Sequence, residues 1–338
     1  ATAYFFARDL YEELDVPVGI INSSYGGTAV EAWTSWDAQK DESQLKEAIF
    51  APWEQAAATY DADTAKKRYE AALERFKQQA AAARAAGKTP PRAPRKPVEP
   101  RLDQNHPAAL FNGMIAPLIP YAIRGAIWYQ GERNSRSDEV GYLYRVQLPL
   151  LIEDWRSRWG QGEFPFAWVQ LPNFDRSGEG WLLVRESMLL SLAVPHTGMA
   201  ITTDIGDPKD IHPKNKQDVG HRLALWAVGT VYEREVPATS GPLPADHEQT
   251  GNTIALSFNH TNGGLKAKGK ELQGFEVADA QGQWHPAQAR IEGDRVLVSS
   301  PQVKAPTAAR YNWAANPQGN LFNGAGLPAS PFRTNVPQ

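Results

Sequence analysis

The sequence predicts an α/β fold on a parallel sheet, interrupted by a helical insertion and followed by an antiparallel β-rich region. Short apolar runs at 18–21, 125–130, 166–171 and 199–203 alternate with amphipathic helical stretches, which is the pattern of βα crossovers. Between Pro52 and about Ala86 the composition turns to Ala, Glu, Lys, Arg and Gln, which favours long exposed helices. From about residue 235 the texture changes to short alternating runs separated by glycine turns, as in antiparallel β-domains. The expected organisation is an α/β domain over 1–49 and 106–234, an insertion over 50–105 and an accessory β-domain over 235–338.

The elements follow in order. Tyr4, Leu10 and Leu14 share a helical face and Pro17 ends that helix. Val18–Ile21 reads as a short buried strand emptying into Asn22–Thr28, a glycine turn before an expected helix at Ala29–Trp36. Lys88–Pro100 is a proline-rich basic tether. Leu110–Leu118 reads as helical, Gly125–Gln130 as a buried strand, and Tyr142–Trp159 as a helix stopped by Gly160. Phe166–Leu171 and Met199–Thr203 are further strands, and Val219–Tyr232 is a closing helix. Thr253–Phe258, Gly274–Ala278, Arg290–Ile291 and Arg295–Ser299 are the expected strands of the β-rich part.

The 338 residues carry 42% hydrophobic and 10% aromatic side chains, enough for substantial cores. A net charge of −3 and a pI near 6.2 give no reason to expect nucleic acid or an anionic membrane as partner. Without cysteine there is no thiol nucleophile and no zinc–thiolate site. His106, His196, His247, His260 and His285 have no second ligand at metal-binding spacing, so neither metal nor other cofactor is expected.

Three strands end in polar loops: Asn22–Thr28, Gln130–Asn134 and Asp204–Lys216. In an open α/β sheet such loops gather along one edge and can form one site. In the third loop, DPKDIHPKNKQ, His212 stands two residues after Asp210, close enough for the carboxylate to fix the ring's tautomer. Pro213 suits the first turn of a helix beginning near Lys214. Acyl transfer also needs oxyanion donors, which a backbone N–H at Gly26 or Gly27 and the Gln130 amide could supply. Glu132 reads more readily as a structural carboxylate tying loops together than as a catalytic group. His221 reads as a packing residue.

INSSYGGTAVEAW (21–33), LFNGMIAPLIP (110–120), GAIWYQGE (125–132), DIHPKNKQ (210–217) and LPASPFRT (327–334) resemble the sialate O-acetylesterase-like proteins, a family of SGNH-type serine carbohydrate esterases. The resemblance covers nearly the whole chain. It implies a flavodoxin-like three-layer α/β/α hydrolase that removes acetyl groups from sugar hydroxyls. By position it implies His212 as base, Asp210 as third member, and Gly27 and Gln130 in the oxyanion hole. Tyr25, Trp33, Tyr129 and Arg133 become candidates for a sugar-binding rim. The usual arrangement puts the acid three residues before the histidine, but Lys209 stands there, so Asp207 and Asp204 remain alternatives as orienter. Arg133 replaces the serine common after Gln-Gly-Glu in the family.

The family's nucleophile lies in a Gly-Gln-Ser-Asn block upstream of the region resembling residues 1–36, and no such block occurs in these residues. Ser23 and Ser24 belong to the second block. The expectation is that an N-terminal segment of the same protein carries the serine, that the partner is an O-acetylated carbohydrate, and that the protein is periplasmic or secreted. The contrary reading is a non-catalytic carbohydrate-binding or scaffold protein. A third possibility, resting on composition and analogy, is that the β-rich tail binds glycans by itself.

Overall fold

Residues 1–336 are described by the computed structural model. Along the chain run helices α1 (Thr2–Leu14), α2 (Ala51–Ala58), α3 (Ala62–Ala85), α4 (Asp138–Trp159), α5 (Glu179–Leu190) and α6 (Lys216–Trp226). The parallel sheet has strands β1 (Ala126–Trp128), β2 (Phe166–Val169) and β3 (Thr197–Ala200), hydrogen-bonded in that order. Each crossover carries a helix, as parallel pairing requires.

Strand β2 shows why this sheet is a middle layer. Its alternate residues Ala167 and Val169 pack with Leu10 and Leu14 of α1 and with Val219, Leu223 and Trp226 of α6. Phe166 points the other way, with its ring 5.8 Å from Trp155 of α4, and Trp155 also meets Trp128 edge-on at 5.9 Å. Helices on both faces make the expected α/β/α layering. Helix α4 is bounded by its sequence: Ser137 accepts the Val140 N–H, and Gly160 ends it at φ 62. Helices α4 and α5 cross at Gly141 and Gly180, where a Cβ on Gly141 would lie 2.5 Å from the Gly180 carbonyl oxygen.

The C-terminal region forms two four-stranded antiparallel sheets. One has the order β4 (Leu243–Thr250), β5 (Thr253–Asn259), β10 (Arg295–Ser299), β9 (Gln288–Glu292). The other has the order β13 (Phe332–Arg333), β11 (Ala308–Tyr311), β7 (Phe275–Ala278), β8 (Trp284–Pro286). A two-stranded ribbon pairs β6 (Lys266–Ala267) with β12 (Leu321–Phe322). Ile254, Leu256, Val296 and Val298 from one sheet share a core with Phe275, Val277, Tyr311 and Phe332 from the other, which makes a sandwich.

By contact density, Ala1–Val30 and the chain from Leu118 onward form one compact unit, which holds the parallel sheet and the sandwich. Glu31–Pro117 is a second unit. Within it α3 runs 24 residues with Ala80 its one buried residue, as its Ala/Glu/Lys/Arg composition foretells. The stretch 88–99 has no regular secondary structure.

Several expectations are corrected. Residues 18–21 pair with no strand among the described residues, and Ile20 and Ile21 are about half exposed. A strand needs a hydrogen-bonded neighbour, and among the described residues the one strand paired with β1 is β2. Tyr4 lies exposed rather than on the buried face of α1. The expected helix at Ala29–Trp36 is a short turn, Val30–Ala32, because Ser35 caps a new one-turn helix at Trp36–Gln39. Helix α6 starts at Lys216 rather than Lys214, since Asn215 accepts the Asp218 N–H as cap, leaving Pro213 outside the helix.

Candidate active site

The three polar loops are bonded to one another within the first unit. Gln130, buried just after β1, donates from Nε2 to the Thr28 carbonyl at 2.8 Å and to Asn134 Oδ1 at 2.8 Å. That joins the glycine loop 22–28 to the 130–134 loop. Its Oε1 accepts from the Tyr144 hydroxyl at 3.0 Å, and Asn134 Oδ1 also accepts the Val30 N–H at 3.0 Å. The second and third loops meet through Lys216, whose Nζ lies 3.3 Å from the Tyr129 hydroxyl and 4.5 Å from the centre of its ring.

Within the glycine loop, Gly27 sits at φ 74, where an L side chain is strained, and Thr28 donates its hydroxyl to the Tyr25 carbonyl at 2.8 Å. Ser24 donates to Asn22 Oδ1 at 2.7 Å and is exposed, as is Tyr25. Arg133 is exposed beside the second loop.

In the third loop the Asp207 carboxylate accepts the N–H groups of Lys209 and Asp210, closing a tight turn. Asp210 Oδ1 accepts the His212 backbone N–H at 2.9 Å and lies 3.8 Å from the ring Nδ1. The His212 side chain is 88% exposed, so the imidazole stands free at the tip of the loop. Asp204 holds Arg222 with two bonds of 2.6 and 2.8 Å. Of the three aspartates, then, Asp204 is committed to an arginine and Asp207 to the turn, and Asp210 is the one beside the ring.

Two expectations change here. Both Gln130 amide hydrogens are already donated, so an oxyanion could take one only by displacing Thr28 or Asn134. Trp33 is 3% exposed, buried in the second unit, and offers no rim surface. The sequence reading also missed a charge cluster. Half-buried Glu132 is pushed above the usual carboxylate range by loss of water, while Lys216 and, more weakly, His212 pull it back. Lys216 is drawn down by burial and held up by Glu132 and then Asp210. Burial also raises the Tyr129 hydroxyl, with Glu132 adding to the effect. Glu132 is thus electrostatically coupled to the candidate base. The signal was the placing of Glu132 and Lys216 on two loops already singled out, but a four-residue offset from His212 to Lys216 says nothing of which side chains converge.

Residues 108–228 match the family model described as carbohydrate esterase, sialic acid-specific acetylesterase. Sialate O-acetylesterase of Rattus norvegicus is 28% identical over 374 residues, covering 99% of this chain and 64% of that protein. The Homo sapiens protein of that name is 28% identical over 362 residues, covering 98% of this chain and 60% of its own length. The crystal structure of a carbohydrate acetylesterase from Xanthomonas citri superposes with a TM-score of 0.78 at 37% identity, covering 99% of this chain and 65% of that one. The chain therefore spans less than two thirds of the length of these relatives. The matched segment and a likeness running along nearly all of its length make the chain similar to the sialate O-acetylesterases and to a carbohydrate acetylesterase of known structure.

Proposed function

We propose that this chain is the acid–base portion of a serine carbohydrate O-acetylesterase, which removes acetyl groups from sugar hydroxyls. The observation that carries the reading is the convergence of three loops: Gln130 bonds the glycine turn, Lys216 bonds Tyr129, and His212 with Asp210 stands on the same loop as Lys216. Two of these loops follow the parallel strands β1 and β3, and the ends of such strands are where these folds place catalysis.

In this mechanism a serine on a segment preceding residue 1 attacks the acetyl carbonyl. His212 takes its proton, and the imidazolium is steadied by Asp210. The tetrahedral oxyanion is held by backbone N–H at Gly27, with the Gln130 amide joining if it releases Thr28. The proton returns to the sugar oxygen as it leaves. Water, activated by the same imidazole, then releases acetate and frees the serine. Tyr25, Tyr129 and Arg133 are the rim residues offered to the sugar. The organisation proposed is an esterase domain over 1–49 and 106–234, an insertion over 50–105 and an accessory domain over 235–338. The setting proposed is secreted or periplasmic deacetylation of glycans.

The segment carrying the serine is supported by an exposed apolar face. Tyr4, Tyr11, Val16, Ile20 and Ile21 are each about half exposed or more, and residues 18–21 have no regular secondary structure and pair with no strand among the described residues. An open run of that kind suits an added strand. No helix among the described residues is long and apolar enough to cross a membrane.

The test is hydrolysis of 4-nitrophenyl acetate by this chain alone and by the polypeptide extended through the upstream serine block. The extended protein should hydrolyse the ester, and His212→Ala should remove at least about a thousandfold of kcat. An inert extended protein that still binds an acetylated oligosaccharide would favour the non-catalytic reading instead.

A further inference from the structure

His212 has no wall around it, so its place in space is set by the stem of its own loop. That stem is held from outside. The Gly206 N–H donates to Asn173 Oδ1 at 2.8 Å, and the Pro208 carbonyl accepts the Asp175 N–H at 2.9 Å. A Cβ on Gly206 would lie 2.3 Å from Asn173 Oδ1, so the two segments touch with no space for any side chain. From Asp207 onward the turn closes on itself through the Asp207 and Asp210 carboxylates.

Residues 171–175 are in turn held by the C-terminal region. Asn173 Nδ2 donates to Asn316 Oδ1 at 2.8 Å, and the Phe174 N–H donates to the Ala315 carbonyl at 3.0 Å. Asn316 therefore decides which end of the Asn173 amide faces Gly206: only with its NH2 group on Asn316 does the amide present its oxygen to the Gly206 N–H. Beneath them lies Arg185, fully buried in α5. It donates to the carbonyls of Leu171 and Pro172 on one side and of Ala314 and Ala315 on the other. The guanidinium thus clamps the 314–316 loop to the segment that carries Asn173.

We propose that the 314–316 loop, acting through Asn173 and Arg185, positions the His212 loop, so that the C-terminal sandwich is a working part of the hydrolytic site and not an independent glycan-binding appendage. The role rests on the esterase reading, with Asn173, Arg185 and Asn316 as positioning residues that never touch substrate. The side-chain path runs from the sandwich through the Asn173 amide to the stem of the base's loop, and both of its links are polar bonds that a single substitution removes.

The experiment uses the extended polypeptide and two readouts: amide hydrogen exchange over 204–212, and steady-state hydrolysis of 4-nitrophenyl acetate. Asn316→Ala should speed exchange at Gly206 about tenfold. It should lower kcat about tenfold with KM little changed, because the base is misplaced while the ester site is intact. Asn316→Asp, which keeps the acceptor oxygen, should restore both. Asn173→Ala should add nothing to Asn316→Ala, as expected for two links of one chain. Gly206→Ala, which pushes the stem off Asn173 by a different route, should reproduce the exchange and kcat changes. Gln302→Ala, elsewhere in the sandwich, should leave both readouts at the parent level. Parent-like exchange and kcat in Asn316→Ala would overturn the inference even with a fully active esterase. If the parent is inert, the esterase reading fails by itself, and the exchange comparison still decides whether the sandwich holds the loop.

Discussion

Arg185→Met removes a buried cation that has no carboxylate partner, and its cost can be worked from the bonds it makes. Burial pulls the guanidinium down to about 9, which leaves it protonated at neutral pH. That desolvation amounts to roughly 5 kcal/mol at ~1.4 kcal/mol per pKa unit. Against it stand four charge-assisted bonds to carbonyls. Pro172 keeps the Trp181 indole N–H, Ala315 keeps the Phe174 N–H, and Ala314 is exposed to water. The fully buried Leu171 carbonyl loses its donor, at about 2 kcal/mol, and the other three bonds are worth about 2 kcal/mol each. The net expectation is a loss of about 3 kcal/mol, since methionine fills the space but donates nothing. Urea denaturation followed by tryptophan fluorescence measures it directly. Arg185→Lys should recover only part, one ammonium being unable to reach four carbonyls. A methionine variant as stable as the parent would refute the reasoning, because it would show the guanidinium to be a tolerated burden, as buried ions sometimes are.

Two further expectations concern pH. Glu132, with its pKa raised by burial, favours folding while protonated; that advantage is full below its unfolded value and is lost as pH rises through the folded one. Glu132→Gln, always neutral, should therefore melt higher than the parent at about pH 8 and no higher at about pH 4. An equal gain at both pH values would remove Glu132 titration as the cause. His285 donates from its two ring nitrogens to Asp279 and Gln302, each at 2.9 Å, and the Asp279 contact chiefly raises its pKa. The parent's stability advantage over His285→Ala should be full below the ordinary histidine range and vanish as pH rises through the raised value. Since the Asp279 carboxyl is itself held low by His285, the advantage should also fade in strong acid. Thermal melts from about pH 3 to pH 9 would expose the window, and a difference independent of pH would count against the ion pair.

How much was legible in the sequence depended on whether a signal was local. The unbroken apolar run at Phe166–Val169 reads as a buried parallel strand, and Ser137 and Gly160 announce the ends of α4 because caps act through near neighbours. Strand β4 was invisible, since LPADHEQT lies at a sheet edge with most side chains in water and carries no alternation. Residues 18–21 carry the composition of a strand, but pairing is decided elsewhere in the chain. The site divided in the same way. His212, Asp210 and the loops could be picked out by residue type and position relative to strands. The Glu132–Lys216 coupling, the commitment of Gln130 to Thr28, and the bonds from Asn316 to Asn173 join residues from 84 to 143 positions apart. No period in the sequence encodes such contacts.

The Glu186 carboxylate adds a consequence for the order of events during synthesis. Its side chain is 1% exposed, and it is held by Arg145 at 3.0 Å and by a two-pronged grip from Arg333 at 2.7 and 2.8 Å. Arg145 is made 41 residues before Glu186, but Arg333 follows it by 147, on the edge strand β13. While the ribosome is still working through the sandwich, α5 would have to bury a carboxylate with half of its cations missing. The α/β layers therefore have reason to stay loose until β13 emerges, and a chain cut short of Arg333 would lose the lock that fastens its earlier half as well as a strand.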